Sequence, residues 1–306
     1  MLDVAIGIPT FRRPDKLATL LAELPARIAE VGLDRPVRIL VVDNDPSGSA
    51  RAVAQAAGPG VEYAIEPTPG IAAVRNRLMD EAEGSRLLAF IDDDERPLDH
   101  WLSSLVGTWV THGSAAVMGR VISVFPDEVD PWLLGTGVFR RRERPTGLEI
   151  PVAAAGNLLL DLDQIRSLGI RFDTSLGLAG GEDTLFSRML VAAGGRIVWC
   201  NESRAEDDVP AERLTRQWAM RRAYNGGNLA VDNDLRLEAS AVRRQAIRVR
   251  RLIGGLVRAA LGWLRHAWGR LRGDLEDDAR GMRTAYRGWG MANGALGRRH
   301  LEYTRP

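Results

Sequence analysis

The strongest constraint on the fold is the alternation of short apolar runs with helix-periodic segments over the first 91 residues. Apolar runs at 2–8, 37–42, 61–65 and 86–91 have the length and continuity of strands that are buried on both faces. The segments between them carry apolar residues at helical spacing, as 15–31 does. This order predicts β-α-β units with right-handed crossovers, and therefore an α/β fold whose mainly parallel, Rossmann-like sheet has helices on both faces.

Polar clusters follow three of these strands. Thr10 and Arg13 come after the first strand, Asp43 and Asn44 after the second, and the acids at 92–95 after the fourth. Ligands of doubly wound sheets bind at the carboxyl ends of the strands, so we expect these clusters to meet in one site. Helix capping accounts for Asp43 about as well. It accounts poorly for four adjacent acids, because their like charges repel one another.

The three consecutive aspartates, Asp92 to Asp94, predict a cation site. Side chains alternate along a strand, so Asp92 and Asp94 are expected to share one side while Asp93 points elsewhere. A divalent ion such as Mg²⁺ is typically held by one or two carboxylates together with phosphate oxygens and water. Such an ion would offset the charge that develops on a diphosphate leaving group. A solvated acidic turn is the alternative interpretation.

The remaining pattern predicts two domains, at 1–235 and 236–306, because the composition changes near residue 235. In the first domain, helical periodicity at 213–228 predicts a helix that ends at Gly226 and Gly227. The other segments predicted there are a helix at 98–111, strands at 115–124, 152–160 and 196–201, and a Pro/Arg-rich loop at 126–150.

Five motifs, in this order along the chain, resemble the family 2 glycosyltransferases of the GT-A fold. They read IPTFRRP at 8–14, VVDND at 41–45, GIAAVRN at 70–76, FIDDDE at 90–95 and GGEDTLFSRML at 180–190. The segment 153–228 is most similar to bacterial exopolysaccharide enzymes of the succinoglycan type. The resemblance implies an inverting hexosyltransferase. The segment 213–228 lacks the Gln-x-x-Arg-Trp motif of processive synthases and the sequence shows no membrane span, so we expect a non-processive enzyme. The enzyme would move a sugar from a nucleotide sugar, expected to be a UDP-sugar, to a hydroxyl of a glycan or a lipid-linked acceptor.

The resemblance also implies residue roles. Asp92 and Asp94 would form the Asp-x-Asp motif that binds Mn²⁺ or Mg²⁺, although a third aspartate at the middle position leaves the metal ligand open by one residue. Asp183, next to Glu182, would be the general base; taken alone, either acid could instead cap a helix. The nucleobase, ribose and diphosphate would be contacted by Pro9, Thr10, Phe11, Arg13, Asp43, Asn44, Arg75, Asn76, Asp92 and Asp93. The segment 213–228 is rich in arginines and aromatic rings, which suits Arg221 to the diphosphate and Trp218 to stacking on the acceptor sugar. An amphipathic helix that packs Trp218 into the core and leaves its arginines solvated accounts for this segment equally well.

Other classes of enzyme lack their signatures in this chain. There is no P-loop, no G-x-S-x-G elbow, no G-x-G-x-x-G after the first strand, and only one cysteine. A nucleotidyltransferase stays as an alternative, although IPTFRRP lacks the glycines of its usual loop. A non-catalytic, membrane-associated protein that binds nucleotide sugars is the second alternative. The acids at 92, 94 and 183 argue against it.

The segment 241–272 carries many arginines and no acid. Apolar residues fall on one helical stripe and arginines on another, which predicts an amphipathic helix suited to an anionic membrane surface. Packing of the apolar stripe on the catalytic domain, or on a second copy, stays open. An arginine face also suits nucleic acid, but no other feature of the sequence supports this partner, and we expect no nucleic-acid binding. Because the sequence pattern shows neither a signal peptide nor a membrane span, we expect a cytoplasmic protein. The amphipathic helix leads us to expect that this protein binds peripherally to the inner face of the cell membrane.

Overall fold

The computed structural model describes residues 2–126, 128–141, 143–177 and 180–298. The chain forms two compact units. The first unit consists of Met1–Ile122, Arg141–Gly177 and Glu182–Asp208, and the second of Ser123–Arg140, Leu178–Gly181 and Val209–Pro306. The domain boundary expected at residue 235 lies within the second unit and stays a prediction.

The first 91 residues have the predicted order of elements. These are β1 (Val4–Thr10), α1 (Pro14–Ala29), β2 (Arg38–Asp43), α2 (Arg51–Ala56), β3 (Val61–Ile65), α3 (Ile71–Glu81) and β4 (Leu87–Ile91). The first strand was expected to end before Pro9, but it continues to Thr10. Pairing of β1 with β4 stops at Gly7, so the missing N–H of Pro9 breaks no hydrogen bond on that side.

The second half of the sheet is antiparallel. Its strands are β5 (Glu95–Pro97), β6 (Ala116–Val124), β7 (Asn157–Asp161) and β8 (Ile197–Asp208). The helices in this part of the chain are α4 (Trp101–His112), α5 (Pro131–Gly135), α6 (Leu162–Ser167) and α7 (Glu182–Ala192). The strand order is β3-β2-β1-β4-β7-β6-β8-β5, and β7 runs antiparallel to β4 and β6. Two predicted boundaries are wrong. The strand expected at 152–160 begins only at Asn157, and the loop expected at 126–150 contains α5 within its described part.

Alternate residues of the central strands enter separate apolar layers, as the period of two requires. Leu88 and Phe90 of β4 pack in the layer that contains α3, with Leu78 at its centre. Ile91 and its alternate neighbours pack in the layer that contains Leu17 of α1. Both faces of the sheet are therefore covered by helices, and the carboxyl ends of the parallel strands are left to form a site.

The second unit is mainly helical. It contains α5 and three longer helices, α8 (Arg216–Leu237), α9 (Ala241–Arg272) and α10 (Leu275–Ala295). The predicted helix end at Gly226 and Gly227 is wrong, because α8 runs through both. A side chain at Gly227 would collide with the backbone of Arg287 on α10, so this glycine serves close packing. Among the described helices, none has the length and apolar character that crossing a lipid bilayer would need.

Candidate active site

The loop after β1 binds the acidic turn after β4. Thr10, the last residue of β1, is buried, and its Oγ1 donates a hydrogen bond to Asp93 Oδ2 at 2.7 Å. Arg13 Nη1 donates to Asp94 Oδ2 at 2.7 Å and to Asp93 Oδ1 at 3.2 Å. Arg12, between them, has a φ of 54°, in the left-handed region that non-glycine residues seldom adopt. The carboxyl ends of β1 and β4 therefore form one polar cluster.

The expected alternation of the three aspartates is wrong, because Asp93 and Asp94 lie in a turn and not in a strand. Asp93 and Asp94 share Arg13, whereas Asp92 faces Arg75, whose Nη2 is 3.5 Å from Asp92 Oδ1. Burial, with the charges of its two neighbours, raises the pKa of Asp93 to about 6 despite hydrogen bonds from Thr10 and Arg13. The acids are thus divided between two arginines that come from different strand ends.

Arg75 connects the acidic turn to the beginning of α7. Its Nη1 donates to Glu182 Oε1 at 2.5 Å, and its guanidinium lies 5.7 Å from the ring centre of Phe172. Its buried Nε has no hydrogen-bond partner among the described residues. Burial favours the neutral form of Arg75, but the surrounding carboxylates outweigh it and raise the pKa of the guanidinium. Arg75 is therefore a fixed positive charge with one N–H group left to offer.

A second group of acids lies beside Asp92. Burial, followed by the charges of Asp92 and Asp207, raises the pKa of Glu95 well above its usual range. Glu95 and Asp207 are direct cross-strand partners on β5 and β8, and Arg141 donates to Asp207 Oδ2 at 3.2 Å. Glu95 Oε2 is buried without a hydrogen-bond partner among the described residues. A side chain at Gly156 would collide with Glu95 and come within 3.1 Å of Asp92 Oδ2. Asp92, Glu95 and Asp207 thus form an acidic group, and Arg75 and Arg141 offset only part of its negative charge.

Asp183 lies in the first turn of α7 and belongs to the same cluster. It adjoins Glu182, which pairs with Arg75, and its charge contributes to the raised pKa of both Asp92 and Arg75. Asp183 Oδ1 accepts a hydrogen bond from the backbone N–H of Thr184 at 2.6 Å. Because Glu182 is committed to Arg75, Asp183 is the acid of this pair that suits proton transfer.

The acids after β2 organise two loops. Asp43 is fully buried; its Oδ1 accepts from Asp45 N at 2.9 Å, and its Oδ2 accepts from Ala50 N at 2.8 Å and Tyr63 Oη at 2.9 Å. Burial and the charge of Asp43 raise the pKa of the Tyr63 hydroxyl. Asn44 Nδ2 donates to two backbone carbonyls, the nearer at 2.6 Å, in the loop between β3 and α3. Both side chains hold this edge of the sheet in shape, and their predicted contacts with the nucleobase stay predictions.

The other predicted site residues have the following positions. Pro9 is buried in β1, and Phe11 packs under the Arg12 guanidinium at 5.1 Å. The side chain of Asn76 forms a reciprocal pair with the backbone of Phe172, at 2.8 and 2.9 Å, so both of its polar atoms are committed. In the second unit, Trp218 stacks on Phe139 with ring centres 5.4 Å apart, and Arg221 is exposed on α8.

Sequence reasoning found only part of the cluster. It placed Glu95 among the four adjacent acids but gave it no role of its own. Asp207 and Arg141 lie more than forty residues from the aspartates in sequence and belong to no motif. The pairing of β5 with β8 brings Asp207 beside Glu95, and Arg141 joins through its hydrogen bond to Asp207.

The donor set fits a divalent ion that shares its coordination with a ligand. No three His, Cys, Asp or Glu side chains in the described ranges are arranged to hold an ion alone. A divalent ion bound with phosphate oxygens and water needs only one or two carboxylates. Asp92 and Asp94 can supply them, and the raised pKa of Asp92, caused first by burial and then by neighbouring carboxylates, marks a place where added positive charge is stabilising.

Comparison with known proteins identifies the family of this chain. Residues 5–167, more than half of the chain, match the family model described as Glycosyl transferase family 2. The chain belongs to this family, and it is a glycosyltransferase. It is 33% identical over 230 residues to the succinoglycan biosynthesis protein ExoM of Rhizobium meliloti (strain 1021), covering 74% of this chain and 73% of that protein.

Solved structures of low sequence identity share the fold. S. aureus TarS 1–349 in complex with UDP-GlcNAc is 12% identical, covers 91% of this chain and 90% of that one, and has a TM-score of 0.53. GalNAc-T7 with UDP, GalNAc and Mn²⁺ is 14% identical, with 82% of this chain covered and a TM-score of 0.56. The chain spans 54% of that GalNAc-T7 chain and 45% of the chain in another TarS structure. The family 2 membership and the GT-A-like fold expected from the motifs are confirmed.

Proposed function

We propose that this glycosyltransferase moves a sugar from a UDP-sugar to a hydroxyl group, with inversion at the anomeric carbon. The observation that carries the proposal is the cluster in which Arg75, buried between Glu182 and Asp92, joins α7 to the acidic turn. It combines a fixed cation, acids for a metal and a further acid, Asp183, at one edge of the sheet. UDP-GlcNAc in the TarS complex, and UDP with Mn²⁺ in the GalNAc-T7 complex, support this choice of donor and metal.

In this proposal, Asp92 and Asp94 hold Mn²⁺ or Mg²⁺ jointly with the donor diphosphate. The ion, when bound, offsets the negative charge that builds up on the leaving UDP. Arg13 keeps Asp94 in position from one side, and Arg75 keeps Asp92 from the other. The fixed charge of Arg75 beside Asp92 is suited to attract the negatively charged diphosphate of the donor.

Asp183 acts as the general base in this proposal. Inversion requires the acceptor hydroxyl to attack on the side opposite the leaving group, and a carboxylate within hydrogen-bond reach must take its proton. Asp183 adjoins Glu182, which pairs with the same Arg75 that faces Asp92, and this placement beside the proposed metal-diphosphate side supports the role. Glu182 contributes by holding Arg75 and is a positioning residue.

The loops after β1 and β2 bind the nucleoside in this proposal. Pro9, Thr10 and Phe11 line the nucleobase site, and Asn44 holds the adjacent loop by its backbone contacts. Asp43 Oδ1 accepts one hydrogen bond from the protein, which leaves a lone pair for the imide N–H of uracil.

We further propose a glycan or lipid-linked acceptor that receives one sugar per encounter, at the inner face of a membrane. The similarity to a succinoglycan biosynthesis protein supports a polysaccharide precursor as the acceptor. Trp218, although stacked on Phe139, is the proposed platform for an acceptor sugar, with Arg221 exposed on the same helix.

The test is a donor panel assayed for released nucleotide and free sugar, with Mn²⁺, Mg²⁺ or a chelator. We expect slow hydrolysis of one UDP-sugar that releases UDP, disappears with the chelator, and is lost in Asp94→Asn. In Asp183→Asn, donor binding should persist while transfer to acceptor in a lipid extract is lost. Release of a sugar 1-phosphate instead of UDP, with the uridylyl group passed to added inorganic diphosphate, would identify a nucleotidyltransferase. Donor binding without transfer to any acceptor fraction by the wild type would favour a non-catalytic protein.

A further inference from the structure

Helix α9 is amphipathic along its length. It is 32 residues long, about 48 Å at the usual rise per residue, and contains nine arginines and no acid. Its buried residues are small and lie on one face, and most of its large apolar residues are exposed on the opposite face. Arg248 and Arg251 lie at the margin of the buried face, whereas Arg250 and Arg272 lie at the margin of the exposed apolar face.

The small face packs against α10. Its buried residues are Gly255, Ala259, Gly262 and Gly269. A side chain at Gly255 would come within 2.7 Å of the backbone N of Ala292, and one at Gly262 would collide with the backbone of Ala285. Because the two backbones approach this closely, α9 is held on α10 mainly by its small residues, and Leu252 also packs against Met291 and Ala295 of α10.

Most of the large apolar side chains of α9 are consequently exposed. Leu264 lies nine residues after Gly255, which is two and a half helical turns and therefore the opposite side of α9. Leu264 is 67% exposed, Ile253 58% and Leu271 81%. The exposed apolar residues of α9 are Val242, Val249, Ile253, Leu256, Val257, Leu261, Trp263, Leu264, Trp268 and Leu271. A continuous apolar face of this size on a protein surface marks a binding surface.

The charges beside this face identify its partner. Arg251 and Arg265 are paired with Asp234 and Asp277. Three further arginines, Arg244, Arg248 and Arg258, donate to other protein atoms. The remaining four, Arg243, Arg250, Arg270 and Arg272, are exposed, and α9 has no acid of its own to offset them. The Arg272 guanidinium lies 4.2 Å from the ring centre of Trp268, at the edge of the apolar face. Two such helices would repel each other, whereas the phosphates of anionic lipids would be attracted. Indole rings beside a cationic edge also suit the boundary between head groups and acyl chains.

We propose that α9 lies flat in the surface of an anionic phospholipid bilayer, with the face around Ile253, Leu264 and Leu271 in the acyl boundary. The arginines at its edge contact lipid phosphates. This inference rests on the membrane location proposed above and assigns that location to one helix face. It places the protein where a lipid-linked acceptor is found.

The test uses the full chain and vesicles of a neutral phosphatidylcholine, with and without about 30% phosphatidylglycerol. The variant Ile253→Ser/Leu264→Ser/Leu271→Ser removes the apolar face. Val110→Ser is the matched control, since Val110 is 67% exposed on α4. Flotation should show the wild type and the control on anionic vesicles only. The triple variant should bind at least about tenfold more weakly, and high salt should release the wild type.

Two outcomes would overturn the inference: equal vesicle binding by the triple variant and the wild type, or a wild-type dimer that ignores vesicles and dissociates in the triple variant. Thermal unfolding checks that the triple variant is folded. Hydrolysis of the soluble donor, measured in parallel without vesicles, separates this inference from the proposed function. Intact hydrolysis without vesicle binding would contradict the membrane face alone, whereas vesicle binding without any nucleotide binding would contradict the donor assignment alone.

Discussion

Arg75 of α3 and Glu182 of α7 form a buried ion pair, with Nη1 2.5 Å from Oε1, between segments more than one hundred residues apart in sequence. The same guanidinium faces Asp92 at 3.5 Å. A buried pair of this kind adds little stability over an apolar pair of similar volume, but removing one partner leaves an uncompensated charge. The pair therefore fixes how α7, and with it Asp183, lies against the acidic turn.

Substitution of Arg75 should be strongly destabilising. In Arg75→Met, the buried Glu182 loses its partner, and we expect the free energy of unfolding to fall by about 3–5 kcal/mol. Arg77, on the same helix, is exposed and pairs with Glu81. Arg77→Met should therefore change the free energy of unfolding by less than about 0.5 kcal/mol. Urea denaturation of both variants checks this. An Arg75→Met variant as stable as the wild type would contradict the role of the pair. The double variant Arg75→Met/Glu182→Met should recover most of the loss.

The parallel half of the fold was predictable because it depends on local patterns. Strands β1 to β4 are continuous apolar runs, and the helices between them have clear periodicity. The antiparallel half was not, because β5 has only three residues and joins the sheet through β8, more than one hundred residues later. Gly226 and Gly227 indicated a helix end, and only the packing of α10 against Gly227 explains why α8 continues.

The candidate site was predictable as a set of strand ends, but its connections were not. The motifs placed Thr10, Arg13, Arg75, Glu182 and the aspartates at one edge of the sheet. Which arginine holds which acid depends on side-chain geometry across the sheet, and the turn at 93–94 overrides the strand alternation expected for Asp92 and Asp94.

Two adjacent glycines of α9 should respond oppositely to alanine. Gly254 has open space around it, so Gly254→Ala should stabilise the protein by about 0.5–1 kcal/mol through helix propensity. Gly255 faces the α10 backbone, with Gly288 O only 2.8 Å from an added Cβ, so Gly255→Ala should destabilise it by about 1–3 kcal/mol. Thermal unfolding of the two variants measures both changes. Two shifts of the same sign would show that α9 does not pack on α10 by this face.

Asp161 should make stability depend on pH. Burial raises the pKa of Asp161, but hydrogen bonds from Gln164 and Trp109 and the charge of Arg86 outweigh it, so the net pKa is lowered. A lowered folded-state pKa adds stability above the unfolded pKa, near about pH 4, and this stability is lost as the pH falls through the folded value. Asp161→Asn should therefore cost about 2 kcal/mol at neutral pH. The gap should shrink below about pH 4. Urea denaturation across this range measures it, and a gap independent of pH would contradict the assignment.

Gly156 should be essential to activity, because its missing side chain leaves room for two carboxylates. In Gly156→Ala, the added methyl group would displace Glu95 and Asp92. We expect kcat/KM for donor hydrolysis to fall by about tenfold to a hundredfold, since small displacements of positioned groups are costly. Gly60→Ala, where an added Cβ meets no atom within 4 Å, is the control. Unchanged kcat/KM in Gly156→Ala would exclude the displaced carboxylates from the active site.

The most direct test of the central claim is a calorimetric titration of UDP in the presence of Mn²⁺. It would compare the wild type with Asp94→Asn, and with Asp99→Asn as the control, since Asp99 is 75% exposed and lies five residues further along. We expect the wild type and Asp99→Asn to bind UDP with the same affinity, and Asp94→Asn to bind it at least about tenfold more weakly. A chelator should abolish most of the UDP binding by the wild type. The account would be contradicted if UDP failed to bind the wild type with either Mn²⁺ or Mg²⁺, or if Asp94→Asn bound it as tightly as the wild type.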